Sequence, residues 1–540
     1  MRVRLTTVCL FSGLWWLGAC GGGDTPALAA STSAAETTAA ETPTSGEASG
    51  EASTGGAEPD TTSTGEDDAD LEFARGIRLT RVTATQAVQT ELVIDGVEVP
   101  AADYPVRLIS RRKTVLRAEW SLHADFVPRE LIGRLTIWTP EGADDVFEFK
   151  VMVDGPSNDG DLFKTFSWQL PPEAVRPGLE YRIEVLEPDP ALASGEVSDP
   201  PPILPLAGRG ALAVDDDPME IKVRLIPVRH EFGGDVCMPA ITDADIDDMR
   251  VWMEMHNPVE RAILEVGEPM TYTASIGTSE EGFVPILGEL GARRAADEPP
   301  DNLYYYGLLD SCDGYPPGLL GTAIAIPDAP TPAYAFQRVA TGRWRGSGVG
   351  ARDTFVHEVG HSQGRYHIAC SGGEAGTDDA YPHSNGRIGR WGYGIHDTQL
   401  RSPTAFRDYM SYCDRSFVSD FGWRLTYDFI KELSSWDARS MQGAEARPLL
   451  VGVIGAAGSA RWYTTTGAVP PRQDAVVEFT VGGSTIAAPA AYAPIPDADG
   501  HMVAARLPAG WADVTELRVR VDGAVRARAP RASVRELHAR

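Results

Sequence analysis

The sequence predicts a multidomain protein in which a central α/β domain is flanked by N-terminal and C-terminal β-sandwich domains. Three observations predict it. The chain has 540 residues, too many for one hydrophobic core. Both flanking regions carry short runs of alternating apolar and polar residues broken by turn dipeptides, the period of half-buried strands. Between them, helical periodicity alternates with strand-like runs, the pattern of helices packed on a sheet. The composition, 43% hydrophobic and 23% charged, is that of a globular protein. A net charge of -29 excludes nucleic acid as a partner, because phosphate binding requires an excess of Lys and Arg.

Residues 1–19 read as an export signal: Arg2 and Arg4 precede the apolar run Val8 to Leu17. The following Leu17-Gly18-Ala19-Cys20 resembles the lipobox of bacterial lipoproteins. That resemblance implies cleavage before Cys20, its lipidation, and anchoring to a bacterial outer membrane or cell surface, with later release as a variant. An ordinary secretory signal is the plainer alternative, and under either reading the protein is exported. Residues 20–70 are rich in Ala, Thr, Ser, Gly and Glu, and 21–70 contain no Lys or Arg. Such a stretch buries too little to offset its ordering entropy and reads as a disordered acidic tether.

Residues 71–215 read as a β-sandwich domain, or as two small ones. Ile77, Leu79, Tyr181, Ile183 and Val185 alternate with polar residues, and Asp95-Gly96, Glu141-Gly142 and Pro177-Gly178 mark turns. Proline-rich 200–205 closes this region. Residues 218–440 differ in kind. Ile221 to Val228 is a strand; Asp243 to His256 has helical spacing and is followed by Pro258; Pro285 to Ala296 is a second helix weakened by Gly288 and Gly291. Leu303 to Leu309 and Thr322 to Ile326 are strands, and a third helix begins near Asp353. Residues 445–540 return to β, with strands Val476 to Val481 and Leu517 to Val521 and the hairpin turn Asp522-Gly523.

The third helix carries the chemistry. In His357-Glu358-Val359-Gly360-His361-Ser362-Gln363-Gly364-Arg365-Tyr366-His367, two histidines four apart share a helix face and can aim at one ion. Gly364 stands where the helix must stop, since glycine accepts the left-handed conformation of helix ends. The chain can then return His367 as a third ligand. Three neutral imidazoles leave tetrahedral Zn2+ one open position, the mark of a catalytic rather than a closed site. Glu358, about 100° further round the helix, reaches that position without ligating, as a general base must. Five fixed positions match by chance on the order of 10⁻⁵ times in such a chain, so surface histidines are the poorer reading.

This segment resembles the extended zinc motif of the metzincin metallopeptidases. That family also has a methionine turn below the metal, and Asp408-Tyr409-Met410-Ser411-Tyr412 is similar to it. The resemblance implies a metzincin-like catalytic domain, with Met410 as the floor of the site and Tyr412 as a stabiliser of the reaction's intermediate. It also implies an edge strand, here Thr322 to Ile326, that binds substrate in extended form. The flanking sandwiches and the run Trp391 to Asp397 resemble the dactylysin-like secreted mucinase branch.

Apart from Cys9 and Cys20, the cysteines Cys237, Cys312, Cys370 and Cys413 read as two structural disulfides with three possible pairings. With ligand loop and methionine turn meeting at the metal, the resemblance implies Cys370–Cys413 and therefore Cys237–Cys312. Phe232-Gly233-Gly234-Asp235 resembles an aspartate-switch motif that caps the metal in one metzincin branch, or is a plain glycine turn. His383 and His396 read as cleft-lining or, more simply, unligated. Asp378, Asp379 and Asp397 are candidates for a structural Ca2+.

The expectation is thus a zinc-dependent endopeptidase acting on extracellular proteins or glycoproteins. The alternatives are a surface adhesin or glycan-binding lipoprotein with a vestigial protease domain, and a self-processing domain that cuts within 21–70.

Overall fold

The computed structural model describes residues 71–537 except 143, 190, 193–198, 278–280, 345–349, 372–373, 438–446 and 471. The signal, Cys20 and the tether lie outside the described residues. The described chain is β-rich, with several sheets and few helices, and none of those helices is long and apolar enough to cross a membrane.

The N-terminal region pairs into two antiparallel sheets. One is centred on Ile77–Thr85 and Thr114–Leu122, the other on Arg129–Trp138 and Glu180–Leu186. Their alternating residues, among them Leu79, Trp120, Phe166, Leu135, Tyr181 and Ile183, form one buried core. Arg112 fastens this region to the central one: it is buried and donates to the carbonyls of Gln86 (3.0 Å), Glu254 (2.6 Å) and Val259 (2.5 Å). The run Trp391 to Asp397 docks here too. Gln89 N donates to Trp391 O (2.9 Å), and Tyr393 N donates to Ala87 O (2.8 Å).

In the central region a seven-stranded sheet is built on Glu220–Phe232, which pairs in parallel with Leu303–Leu309, and that strand in turn with Val339–Arg343. The short strand Gly321–Ala323 runs antiparallel at the edge. It is shorter than the expected Thr322 to Ile326: Ile324 N still donates to Val339 O (2.9 Å), but the chain then leaves the sheet ahead of Pro327, which has no N–H to pair.

Helix α1 (Asp243–His256) starts in a capping box between Thr242 and Asp245. Helix α2 (Val284–Asp297) has the two glycines that weaken its propensity. A Cβ on Gly288 would lie 2.5 Å from Arg461 Cβ, and one on Gly291 would collide with the Tyr463 hydroxyl. The glycines let the C-terminal sheet approach α2 closely. Helices α3 (Ala351–Ser362) and α4 (Asp420–Ser435) complete the region.

The C-terminal strands make one continuous eight-stranded sheet rather than two separately bonded ones. One face encloses Leu450, Trp462, Phe479, Trp511 and Leu517. The other carries Val451, Val453, Tyr463, Met502 and Ala504 into a core shared with Ile286 and Leu290 of α2. Both faces are covered, so strand alternation alone does not specify a two-sheet sandwich.

Disulfides join Cys237 to Cys312 and Cys370 to Cys413.

Candidate metal centre

Helix α3 presents His357 and His361 on one face and ends at Gly364, which has φ +80°. The ending is a Schellman motif: Gly364 N donates to His361 O (2.9 Å) and Arg365 N to Gly360 O (3.1 Å). This reversal returns His367, whose Nε2 lies 3.1 Å from His361 Nε2. All three imidazoles are buried. Each gives its Nδ1 side to a backbone carbonyl: His357 to Tyr409 O (2.9 Å), His361 to Arg365 O (2.7 Å) and His367 to Ala375 O (2.7 Å). A carbonyl accepts only from N–H, so the Nδ1 atoms carry protons and the Nε2 lone pairs converge.

Converging lone pairs need a positive charge between them. Protonating three imidazoles at one point is unfavourable, and burial followed by the charge of His361 pushes His357 down to about 4. A single ion satisfies them better. Two ligands about 2.0–2.1 Å from a tetrahedral ion lie about 3.3 Å apart, close to the observed spacing of the two nitrogens. His357 Nε2 has no hydrogen-bond partner among the described residues, as a ligand atom would not.

Glu358, 2% exposed, also has an unpartnered Oε2. Burial, then the negative charge of Asp497, holds its carboxyl well above the usual carboxylate range. It packs against the edge strand, where a Cβ on Gly321 would lie 2.6 Å from Glu358 Oε1. Met410 is fully buried beneath α3, and a Cβ on Gly360 would lie 2.5 Å from its sulfur. The turn is set by Asp408, whose carboxylate accepts from Met410 N (2.9 Å), Ser419 N (3.3 Å) and the Ser419 hydroxyl and faces Arg365 at 3.5 Å. Ile368 N donates to Met410 O (3.0 Å), so ligand loop and turn share backbone bonds beside the Cys370–Cys413 disulfide. Tyr412 is about half exposed, with its hydroxyl 3.1 Å from His367 Nε2.

Several other candidate residues do not join the centre. Asp235 is exposed at a hairpin turn and pairs with Phe232 in the strand ladder. His383 Nε2 meets Asp420 at 2.6 Å and His396 Nε2 meets Glu254 at 2.7 Å, so each has a carboxylate partner. Asp397 pairs with Arg401, and Asp378 accepts from Ala380 N (2.9 Å). Neither they nor Asp379 belong to a metal-like cluster among the described residues. Cys370 and Cys413 do cluster with Glu374, but their sulfurs are spent on each other.

One member of the centre is absent from the motif. Asp497, in the turn between the C-terminal strands Ser484–Pro494 and Gly500–Arg506, points its carboxylate at the three Nε2 atoms. The distances are 3.0 Å to His361, 3.0 Å to His367 and 3.9 Å to His357. A cleft of about 690 Å³ opens beside them, lined by Trp252, Leu319, Gly321, Glu358, Phe406 and Tyr412.

Imidazoles converging beside a buried, unpartnered carboxylate suit metal-assisted hydrolysis. Residues 339–431 match the family model of peptidase M66, a segment that contains all three histidines, Glu358, Met410 and Tyr412. The match supports a metallopeptidase family for this chain. No curated protein matches the chain.

Proposed function

We propose that the chain is a zinc-dependent endopeptidase with a metzincin-like centre, acting on extracellular proteins or glycoproteins. The observation that carries this reading is the tautomer lock: three Nδ1 atoms tied to carbonyls leave three Nε2 lone pairs at one point beside Glu358. His357, His361 and His367 are the ligands. Zinc, when bound there, supplies a Lewis acid that activates water and polarises the scissile carbonyl.

The chain's own residues do the rest. The Glu358 carboxylate takes a proton from the attacking water and returns it to the leaving amine, and its burial raises the proton affinity that this task needs. The Tyr412 hydroxyl, beside His367, donates to the oxyanion that develops on the carbonyl. The edge strand Gly321–Ala323 borders the cleft and has backbone groups on its outer side with which to align an extended peptide.

The proposed organisation is 71–215, 218–440 and 445–540, behind an export signal and a tether. Two disulfides suit an oxidising compartment, and Cys20 is the proposed lipid anchor.

The test is digestion of casein and of a mucin-type glycoprotein by purified protein with its metal content measured. One zinc per chain, and cleavage abolished both by a chelator and by Glu358→Ala, is expected. A Glu358→Ala variant as active as the parent would overturn the assignment. Metal binding without cleavage of either substrate, both by the parent and by a chain whose Asp497 carboxylate is removed, would favour the adhesin reading.

A further inference from the structure

Resting on that reading, we propose that Asp497 is a fourth ligand to the catalytic metal, and that the C-terminal hairpin turn carrying it keeps the site latent until displaced.

The carboxylate is placed for ligation. One carboxylate oxygen and one ring nitrogen of each imidazole all lie within 4.8 Å of one another; Oδ2 lies 3.0 Å from His361 Nε2 and Oδ1 3.0 Å from His367 Nε2, close to the ligand-to-ligand spacing around a tetrahedral ion. Its side chain is only 10% exposed, yet no Lys or Arg pairs with it among the described residues. The basic groups against it are the three imidazoles, and a buried carboxylate whose basic neighbours stay neutral is strongly unfavourable. Facing imidazole lone pairs makes it more so, because lone pairs then oppose lone pairs. A divalent cation at the shared point removes both difficulties.

The turn is held in this position. Asp497 adopts φ +61°, in the left-handed region. Ile495 N donates to Gly500 O (3.0 Å), and Ile495 is buried in the core that α2 shares with the C-terminal sheet. Pro496 O accepts from Thr322 Oγ1 (2.6 Å), which fixes the turn over the edge strand. The Tyr412 hydroxyl donates to Asp497 Oδ1.

These contacts occupy what a substrate requires. Three histidines and a carboxylate make a closed tetrahedral shell, whereas catalysis needs an open position. The tyrosine is engaged by the carboxylate, and Pro496 lies where a peptide would meet Thr322. Substrate must therefore displace the turn, and the C-terminal region acts as a built-in inhibitor of the centre.

The test compares the full chain with Asp497→Asn and Asp497→Ala, each loaded with Co2+. Asparagine tolerates the left-handed conformation, so the first variant keeps the turn and loses the anionic ligand. Acetohydroxamate, a bidentate metal ligand, is titrated by visible absorption, and metal release to a chelator is timed. Both variants are expected to bind acetohydroxamate about tenfold or more tightly than the parent, since the open state no longer competes with the carboxylate. Both should also release metal about tenfold faster. The exposed Asp499→Asn should match the parent in both readouts. Equal affinities and release rates in parent and Asp497 variants would overturn the proposal while leaving the peptidase reading intact. A parent chain that takes up no metal would overturn the peptidase reading itself.

Discussion

Removing the charge of Asp408 tests whether the methionine turn rests on one buried ion pair. Asp408 is fully buried and faces Arg365, which is 1% exposed and has both terminal nitrogens without a hydrogen-bond partner among the described residues. Asp408→Asn preserves shape but strands the guanidinium, at a cost of about 3–5 kcal/mol. An amide nitrogen would also face one of the donors from Met410 or Ser419, adding about 1–3 kcal/mol. Taking about 4 kcal/mol as the floor of that sum, the unfolding transition that responds to metal removal should fall by about 8–16 °C. Replacing both partners (Arg365→Met with Asp408→Asn) removes the stranded charge. It keeps the Arg365 carbonyl that orients His361, since that group is backbone. Calorimetry should then recover at least about 2 kcal/mol relative to Asp408→Asn alone. A single variant within about 3 °C of the parent, or a double variant no more stable than the single, would refute the reasoning.

Other consequences are simpler. Gly364→Ala places a Cβ in a left-handed residue 2.9 Å from Pro327 O; we expect about 1–3 kcal/mol of destabilisation and weaker retention of metal in dialysis, because His367 depends on this reversal. Replacing Cys370 and Cys413 by Ser opens a loop of sequence separation 43, which chain entropy values at about 4 kcal/mol; a thermal transition unchanged on reduction would contradict it. If Glu358 acts as the proposed base and not as a ligand, Glu358→Gln should retain stoichiometric metal while losing hydrolysis, measured by metal analysis and peptide cleavage. In the N-terminal region, burial and then a hydrogen bond with Asp159 push Glu119 from 4.5 up to about 7. A folded value above the unfolded one means that its stabilising contribution is complete below pH about 4.5 and is lost as pH rises through about 7. Glu119→Gln should abolish that loss, so thermal scans of parent and variant should diverge between pH 5 and 8, with the variant relatively more stable at the higher pH.

Where local chemistry decides structure, the sequence is a good guide. Helix α1 covers Asp243–His256 as its spacing predicts, because Thr242 and Asp245 cap one end and Pro258 lies just past the other. The strand Leu303–Leu309 is likewise legible from an apolar run, being buried throughout. The reversal at Gly364 comes from glycine's freedom at positive φ. Gly288 and Gly291 mislead, because propensity counts their cost to the helix and not the close approach of Arg461 and Tyr463 that they permit. The role of Asp408 is half-visible: its place before Met410 can be read, but not the burial of Arg365 beside it.

Asp497 is beyond any local reading. It lies in Ile495-Pro496-Asp497-Ala498-Asp499-Gly500, which looks like an ordinary polar turn between two strands. The shorter match to a capping aspartate, Asp235, sits instead on an exposed hairpin whose Cys237 is tied to Cys312. What distinguishes the two is tertiary: the glycine-lined contact of α2 with the C-terminal sheet sets where the hairpin ends, and that end falls on the three histidines. A motif can bring three histidines together because a helix and one turn determine their separation. A carboxylate carried by another sheet reaches them only through packing, so its place beside the histidines becomes recognisable only when the two surfaces are seen together. Substitutions at Gly288 or Gly291, remote in sequence from the three histidines, should therefore shift Asp497 and change the acetohydroxamate affinity of the Co2+-loaded chain; an affinity equal to the parent's would contradict this.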